Sequence, residues 1–376
     1  MSVRGRMKFA LFCHSVRSDW NHGNAHFLRG LVRALELVGH HVVVLEPEDS
    51  WSVHNLVDDQ GPAALHAFDE DFPDIRWRLY PPERLDLDAV LEGVDVALVH
   101  EWTDPAVVAA LGRYRRQHPG LRLLFHDTHH RMVSEPNAMA RLDLSGYDGI
   151  LAFGAVLAEA YRRAGWGDDV YVWHEAADVT TFFPRSPVQT DDVVWVGNWG
   201  DGERERELRD YLIEPVRRLG ARLTVHGVRY PEWALSALAA VGADYRGWIA
   251  GPRVPEAFAR ARVTAHVPRR FYCEQLVGIP TIRVFEALAC GIPLICAPWH
   301  DVEGLFRVGE DYLLASRPEK MEEHMQRLLA DPEERASLSR RGLARILERH
   351  TCGHRVAELE NILARMEAPG ADRASA

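Results

Sequence analysis

The stretch Gly278–Trp299, GIPTIRVFEALACGIPLICAPW, holds one carboxylate, Glu286, inside a largely apolar helix-then-strand pattern. The residues before it suit an anion: Gly278 carries no side chain, Pro280 is a rigid entry to a helix, and Thr281 brings a hydroxyl to the first turn. A helix opening at Thr281 and Ile282 presents free N–H groups and the positive end of its dipole, a setting for a diphosphate. Glu286, one turn deeper, would accept hydrogen bonds from paired hydroxyls such as those of a ribose. The competing reading is an intrahelical ion pair with Arg283, three residues earlier, at the rim of a core helix.

Other groups are less specific. In FHDTHH, His126, Asp127, His129 and His130 follow a buried strand, at the edge where ligands of α/β sheets bind. Three imidazoles and a carboxylate raise the question of a metal, but one loop rarely aims them together, and no metal is expected. Asp86 and Asp88 form a D-x-D at the start of a helix, where an Asp is simply a good cap. A diphosphate also needs cations. Arg204 or Arg206 in NWGDGERERE, Arg229 in HGVRYP, and Arg269 or Arg270 in HVPRRFY all follow strands; Arg204 and Arg270 are the candidates, Arg229 lies on the same edge, and Arg206 and Arg269 face water. Gly23 and Asn24 in WNHGNAHF form a flexible lead-in and cap before a helix.

The elements that must position these residues alternate. MKFALFC, HVVVLE, VDVALVH, LRLLFH, YDGILAF and VYVWH read as strands, separated by helical patterns such as NAHFLRGLVRALELVG, closed by Gly39. Pro47–Pro82 reads as a loop rich in Asp, Pro and Trp. Periodicity lapses over DVTTFFPRSPVQTD, the expected linker, and alternation restarts at DVVWVG. Two parallel α/β units are expected: 1–180, and 181–350, with a helix over 351–368 crossing back to the first and a disordered tail over 369–376.

Composition narrows the class. With 376 residues and 47% hydrophobic content the chain can build two cores. A net charge of −11 offers no footprint for nucleic acid. Five scattered cysteines without a C-x-x-C suit a reducing compartment, and no run reaches the ~20 apolar residues of a spanning helix, so a cytoplasmic protein is expected, with peripheral membrane contact left open.

RVFEALACGIPLICAPWHDVEGLFRVGEDYLLA resembles the nucleotide-sugar signature of family 4 glycosyltransferases of GT-B fold, in particular the CgeB-like spore-maturation branch. GNAHFLRGLVRALELVGHHVVVLEP, YDGILAFG with EAADVTTFFP, and VVWVGNWG are similar to that family's flanking segments. The resemblance implies two Rossmann-like domains facing across a cleft. It implies transfer of a sugar from a nucleotide diphosphate sugar to an acceptor, with retention and without metal or cofactor. It carries the second Glu of the E-x7-E motif onto Glu286, while the first falls on Gly278, a departure from the pattern. It also gives His126 and Asp127 a catalytic place at the donor sugar, Gly197 and Asn198 a place at the donor, and Gly23 and Asn24 a place at phosphate or acceptor. Loss of the first Glu keeps a second class in view, a sugar-nucleotide-binding scaffold without activity; a metal-dependent hydrolase built on HDTHH is a third.

Overall fold

The computed structural model describes residues 5–165, 169–186 and 188–367; the tail expected to lack order over 369–376 lies outside them. Seven parallel strands, β1 (Lys8–Phe12), β2 (His41–Pro47), β3 (Trp77–Tyr80), β4 (Val96–His100), β5 (Arg122–Asp127), β6 (Gly149–Ala152) and β7 (Val170–Val172), form one sheet in the order β3-β2-β1-β4-β5-β6-β7. Every residue of β4 and β6 is buried, as strands covered on both faces require. Six more, β8 (Asp191–Val196), β9 (Leu223–His226), β10 (Asp244–Tyr245), β11 (Ala261–His266), β12 (Leu294–Cys296) and β13 (Leu313–Leu314), form a second parallel sheet in the order β10-β9-β8-β11-β12-β13. Its core is built on Val193, Val225, Val263 and Ile295.

Helices labelled here are α1 (Ala25–Leu37), α2 (Trp51–Gln60), α3 (Ala63–Asp71), α4 (Ala155–Arg163), α5 (Val254–Arg260), α6 (Ile282–Ala289), α7 (Pro332–Arg349) and α8 (Cys352–Glu367). Gly39, at φ +95°, follows α1 as a stop that favours glycine. The expected loop from Pro47 to Pro82 instead contains α2, α3 and the edge strand β3. Its signal is weak because α2 buries only Ser52, Val53 and Leu56 and α3 only Phe68, too sparse a stripe for periodicity to register. The helical stretch in ERERELRDYLIEPVRRLG is interrupted by a π-helical turn, Arg209–Ile213, just before Pro215.

The chain divides into two compact units with non-contiguous boundaries. The first takes in residues up to Arg17, Leu31–Glu175 and the chain from Cys352; the second takes in Ser18–Gly30 and Ala176–Thr351. Within the first, α8 buries Val356, Leu359 and Leu363, and the backbone oxygen of its Arg355 accepts the Trp173 indole N–H at 2.9 Å. Ser18–Gly30 belongs to the second unit because its polar side chains bond there, as the next section shows.

Candidate functional site

α6 is buried at every residue except Arg283. Glu286 therefore has no rim position: it is 3% exposed. Arg283 does donate to its Oε2, so the expected pair exists, but Oε1 lies 2.7 Å from Nδ1 of His26, a residue 260 positions away. The other nitrogen of that ring, Nε2, accepts the Asp178 backbone N–H at 3.0 Å. A neutral imidazole accepting at Nε2 carries its proton on Nδ1, so His26 donates to Glu286. The ring is stacked on Phe182, with centroids 3.8 Å apart and planes 7° from parallel, which fixes its orientation.

Asp19 ties the same segment down a second time. Its Oδ1 accepts the Trp248 indole N–H at 3.1 Å, and its Oδ2 accepts from Arg29 Nη1 and the Gly251 N–H, each at 2.8 Å. Gly23 faces α6: a Cβ there would come within 3.2 Å of Ile282 Cγ2. These contacts close a cavity of about 90 Å³ within the second unit, whose walls include His26, Gly23, Asn198, His226, Arg283 and Glu286.

Of the expected donor residues, Gly197 and Asn198 line this cavity. The Gly197 carbonyl accepts from the Trp195 indole at 3.0 Å and the Tyr230 hydroxyl at 2.8 Å, and Asn198 Oδ1 accepts the Val228 N–H at 3.0 Å. The Thr281 hydroxyl is engaged with His266 Nε2 at 2.9 Å and makes no cap to α6, so among the described residues the first N–H groups of that helix have no side-chain cap. Burial, then the charges of Arg204 and Arg283, hold His266 down to about 3; burial, then Arg246, holds His226 down to about 4. Both imidazoles are neutral at neutral pH.

Gly278 sits at φ +101°, and a Cβ there would meet Val302 Cγ2 at 2.4 Å. A glutamate here would have to displace the Val302 side chain and adopt a left-handed backbone conformation that favours glycine, so the position is strained for a carboxylate-bearing residue.

The two candidate cations, Arg204 and Arg270, both have protein partners. Arg204 is buried and donates from Nη1 to the Val267 carbonyl at 2.9 Å and from Nη2 to the Asn198 carbonyl at 2.6 Å, and burial lowers it to about 9; it braces the loop carrying Asn198. Arg270 is paired with Glu207, with Nε 2.9 Å from Oε1, at a half-exposed position, and is not among the residues lining the cavity. Its neighbour Arg269 is likewise paired, with Glu203 at 2.5 Å.

His126 and Asp127, at the end of β5, lie in the first unit and are fully buried. Asp127 Oδ2 accepts the Tyr161 hydroxyl of α4 at 2.5 Å and Oδ1 the His129 N–H at 2.9 Å, so both oxygens brace the chain after β5. Burial, with the nearby Glu101 carboxyl, pushes Asp127 up to about 8; burial does the same to Glu101. Burial brings His100 down to about 3 and His126 well below its ordinary range. Among the described residues, no group of three His, Cys, Asp or Glu side chains is arranged to hold a metal.

Residues 204–361 match a family model described as glycosyl transferase-like. That span includes Gly278, Thr281, Arg283 and Glu286. No curated protein matches the chain by sequence. Solved structures that resemble it include a sucrose-phosphate synthase from Thermosynechococcus elongatus, with TM-score 0.64, 16% identity, and 96% of this chain and 99% of that one covered. HepE of Anabaena, in complex with UDP-glucose, gives TM-score 0.68, 13% identity and coverage of 96% and 100%. An α-glucosyltransferase bound to UDP and a 13-mer DNA gives TM-score 0.70, 11% identity and coverage of 96% and 100%. At such identities the likeness concerns the fold: two Rossmann-like α/β domains of the GT-B class.

Sequence reasoning found Glu286 but missed His26, Asp19, His226 and Trp248. His26 stands two residues beyond the Asn24 already singled out, yet no spacing rule connects position 26 to position 286.

Proposed function

We propose that the protein is a glycosyltransferase, moving a sugar from a nucleotide diphosphate sugar to an acceptor, and that within the glycosyltransferase-like class it stands nearest the CgeB-like branch. The observation that carries this reading is Glu286: a carboxylate buried in a cavity, oriented by His26 and Arg283, inside the matched residues 204–361. Each carboxylate oxygen has a second lone-pair site, so Glu286 can still accept from the two ribose hydroxyls. The uncapped start of α6 at Thr281 and Ile282, followed by Arg283, takes the diphosphate. As the bond from the anomeric carbon to the diphosphate breaks and the acceptor hydroxyl oxygen bonds to that carbon, its proton passing to the departing diphosphate, negative charge grows on the leaving group, where those N–H groups and the guanidinium lower its energy. The donor is proposed to be a UDP-sugar, since UDP or UDP-glucose is held by two of the similar structures. Retention without a metal belongs to the same proposal; turnover should survive EDTA, and loss on chelation restored by Mg²⁺ or Mn²⁺ would count against it.

Gly278, in place of the first motif carboxylate, favours the second reading, a sugar-nucleotide-binding scaffold. Hydrolysis of UDP-sugars by the purified chain separates the two.

The test of the site is Glu286→Gln. Loss of a charged acceptor should weaken UDP binding roughly tenfold to hundredfold, about 1.5–3 kcal/mol. The new amide also faces Arg283 with an N–H₂ group, so stability should fall by about 1–3 kcal/mol, and titrations belong well below the melting range. A 2′,3′-dideoxy analogue of UDP should bind both proteins almost alike. Equal binding of UDP itself to variant and wild type would end the ribose assignment.

A further inference from the structure

A second cavity in the second unit, of about 340 Å³, has no role in the proposed transfer. It opens where β11 and β12 begin, at Ala261, Arg262 and Pro293, whereas the Glu286 cavity lies where β8 and β9 end, at Val196 and His226. The two cavities therefore occupy opposite edges of one sheet, and α6 runs between them, from Thr281 to the Cys290–Gly291 turn.

Three guanidinium groups line this cavity, those of Arg185, Arg262 and Arg335, and among the described residues its walls include no carboxylate. α7 supplies one face of it through Pro332, Arg335, Ala336 and Ser339, the spacing of a single helix stripe. Arg262 is held from behind by Asp192, with Nη1 3.1 Å from Oδ1. Arg185 lies 3.9 Å from Glu256 and over the Phe183 ring at 3.6 Å. Arg335 differs: its Nη1 donates to the carbonyls of Leu328 and Leu329 at 2.5 and 3.1 Å, and among the described residues no carboxylate lies within ion-pairing distance. Burial lowers its proton affinity first and the neighbouring Arg262 charge second, with the Asp331 carboxylate acting in the opposite sense. In a chain of net charge −11, a cavity lined by three guanidinium groups, two of them partnered by the carboxylates of Asp192 and Glu256 outside its walls, is a local concentration of cations.

We infer that this cavity is a binding site for a small, multiply charged phosphate compound, separate from the Glu286 cavity. Planar guanidinium forks match phosphate oxygens two at a time, and an anion placed among them relieves the repulsion between Arg262 and Arg335. The Ser339 hydroxyl and Gln189 amide supply neutral donors on two sides.

Inorganic pyrophosphate is the probe, titrated calorimetrically into wild type, Arg335→Gln, Ala336→Glu and Glu286→Gln. Arg335→Gln should weaken binding at least tenfold. Ala336→Glu places a carboxylate on an exposed position of α7 facing the cavity and leaves the Arg335 bonds to carbonyls in place, so it should weaken binding at least as much even where Arg335→Gln proves unstable. Pyrophosphate held at the start of α6 instead, where the proposed transfer puts the donor diphosphate, would be insensitive to both α7 substitutions, and Glu286→Gln should leave binding at the α7 cavity unchanged. Absence of pyrophosphate binding to wild type at millimolar concentration, equal binding to wild type and Ala336→Glu, or loss of binding only in Glu286→Gln would each overturn the inference.

Discussion

Two pairs of carboxyl groups, Glu101 with Asp127 in the first unit and Glu286 with Asp19 in the second, are treated oppositely, although each unit also holds the other kind: Glu46 in the first is paired with Arg17, and Asp178 in the second is met by the Thr180 and Thr181 hydroxyls. In the first, Glu101 is met by the Thr128 Oγ1 at 3.3 Å and by Nε2 of the uncharged His100 imidazole at 2.9 Å, Asp127 by the Tyr161 hydroxyl at 2.5 Å and the His129 N–H at 2.9 Å, and burial pushes both acids up to about 8. In the second, Glu286 contacts a guanidinium and Asp19 is paired with Arg29 at 2.8 Å. Desolvation penalises a carboxylate wherever it is buried; a cation in contact offsets the penalty, and a hydroxyl offsets less of it. The first arrangement suits a polar interior that stays uncharged. The second suits a charge kept in place for a ligand.

Breaking the second arrangement should give the largest effect. Asp19→Ala removes the acceptor shared by Trp248, Arg29 and the Gly251 N–H, leaving a guanidinium without its carboxylate. The expected loss is about 3–5 kcal/mol in the second unit, read by denaturant unfolding followed through hydrogen exchange of β8 and β11. Equal loss of protection in β4 and β5 would show that the effect is not local to that unit.

The pH dependence sharpens the comparison at intermediate size. An acid raised in the folded state stabilises fully below its unfolded pKa, near 4, and that contribution is lost as pH rises to the folded value of about 8. The buried histidines act in the opposite sense, and only below about 6.5, where their unfolded forms take up protons. From pH 6.5 to 8 the acids alone remain, so the first unit should lose stability as pH rises, on the order of 2 kcal/mol over the window. Hydrogen exchange corrected for intrinsic rates should show this in β4 and β5 but not in β8 and β11. The double variant Glu101→Gln/Asp127→Asn should flatten the profile; an unchanged slope would assign it elsewhere.

The smallest effect concerns Arg270. Its partner is Glu207 at a half-exposed site, so Arg270→Gln should alter stability by less than about 1 kcal/mol and leave UDP affinity as in wild type. A tenfold loss of affinity would mean that this arginine turns to the phosphates when the donor binds.

Much of this architecture was legible in the residues themselves. Continuous apolar runs such as VALVH can only be strands covered on both faces, and helical stripes between them require parallel sheets. Glu286 stood out because a charge inside IRVFEALA has no solvent side to face. Where the local signal was thin, as in α2 and α3, the elements were missed. The roles of the arginines were not legible either. Arg204, Arg269 and Arg270 all follow strands, and only the fold shows that the first is spent on carbonyl groups and the other two on Glu203 and Glu207.

Local sequence by itself determined the elements and the carboxylate, because periodicity and burial act over a few neighbouring residues. The tertiary structure alone decided what surrounds that carboxylate. A hydrogen bond between His26 and Glu286 depends on how α1 and α6 are brought together, and across 260 intervening residues no local preference of either segment specifies it.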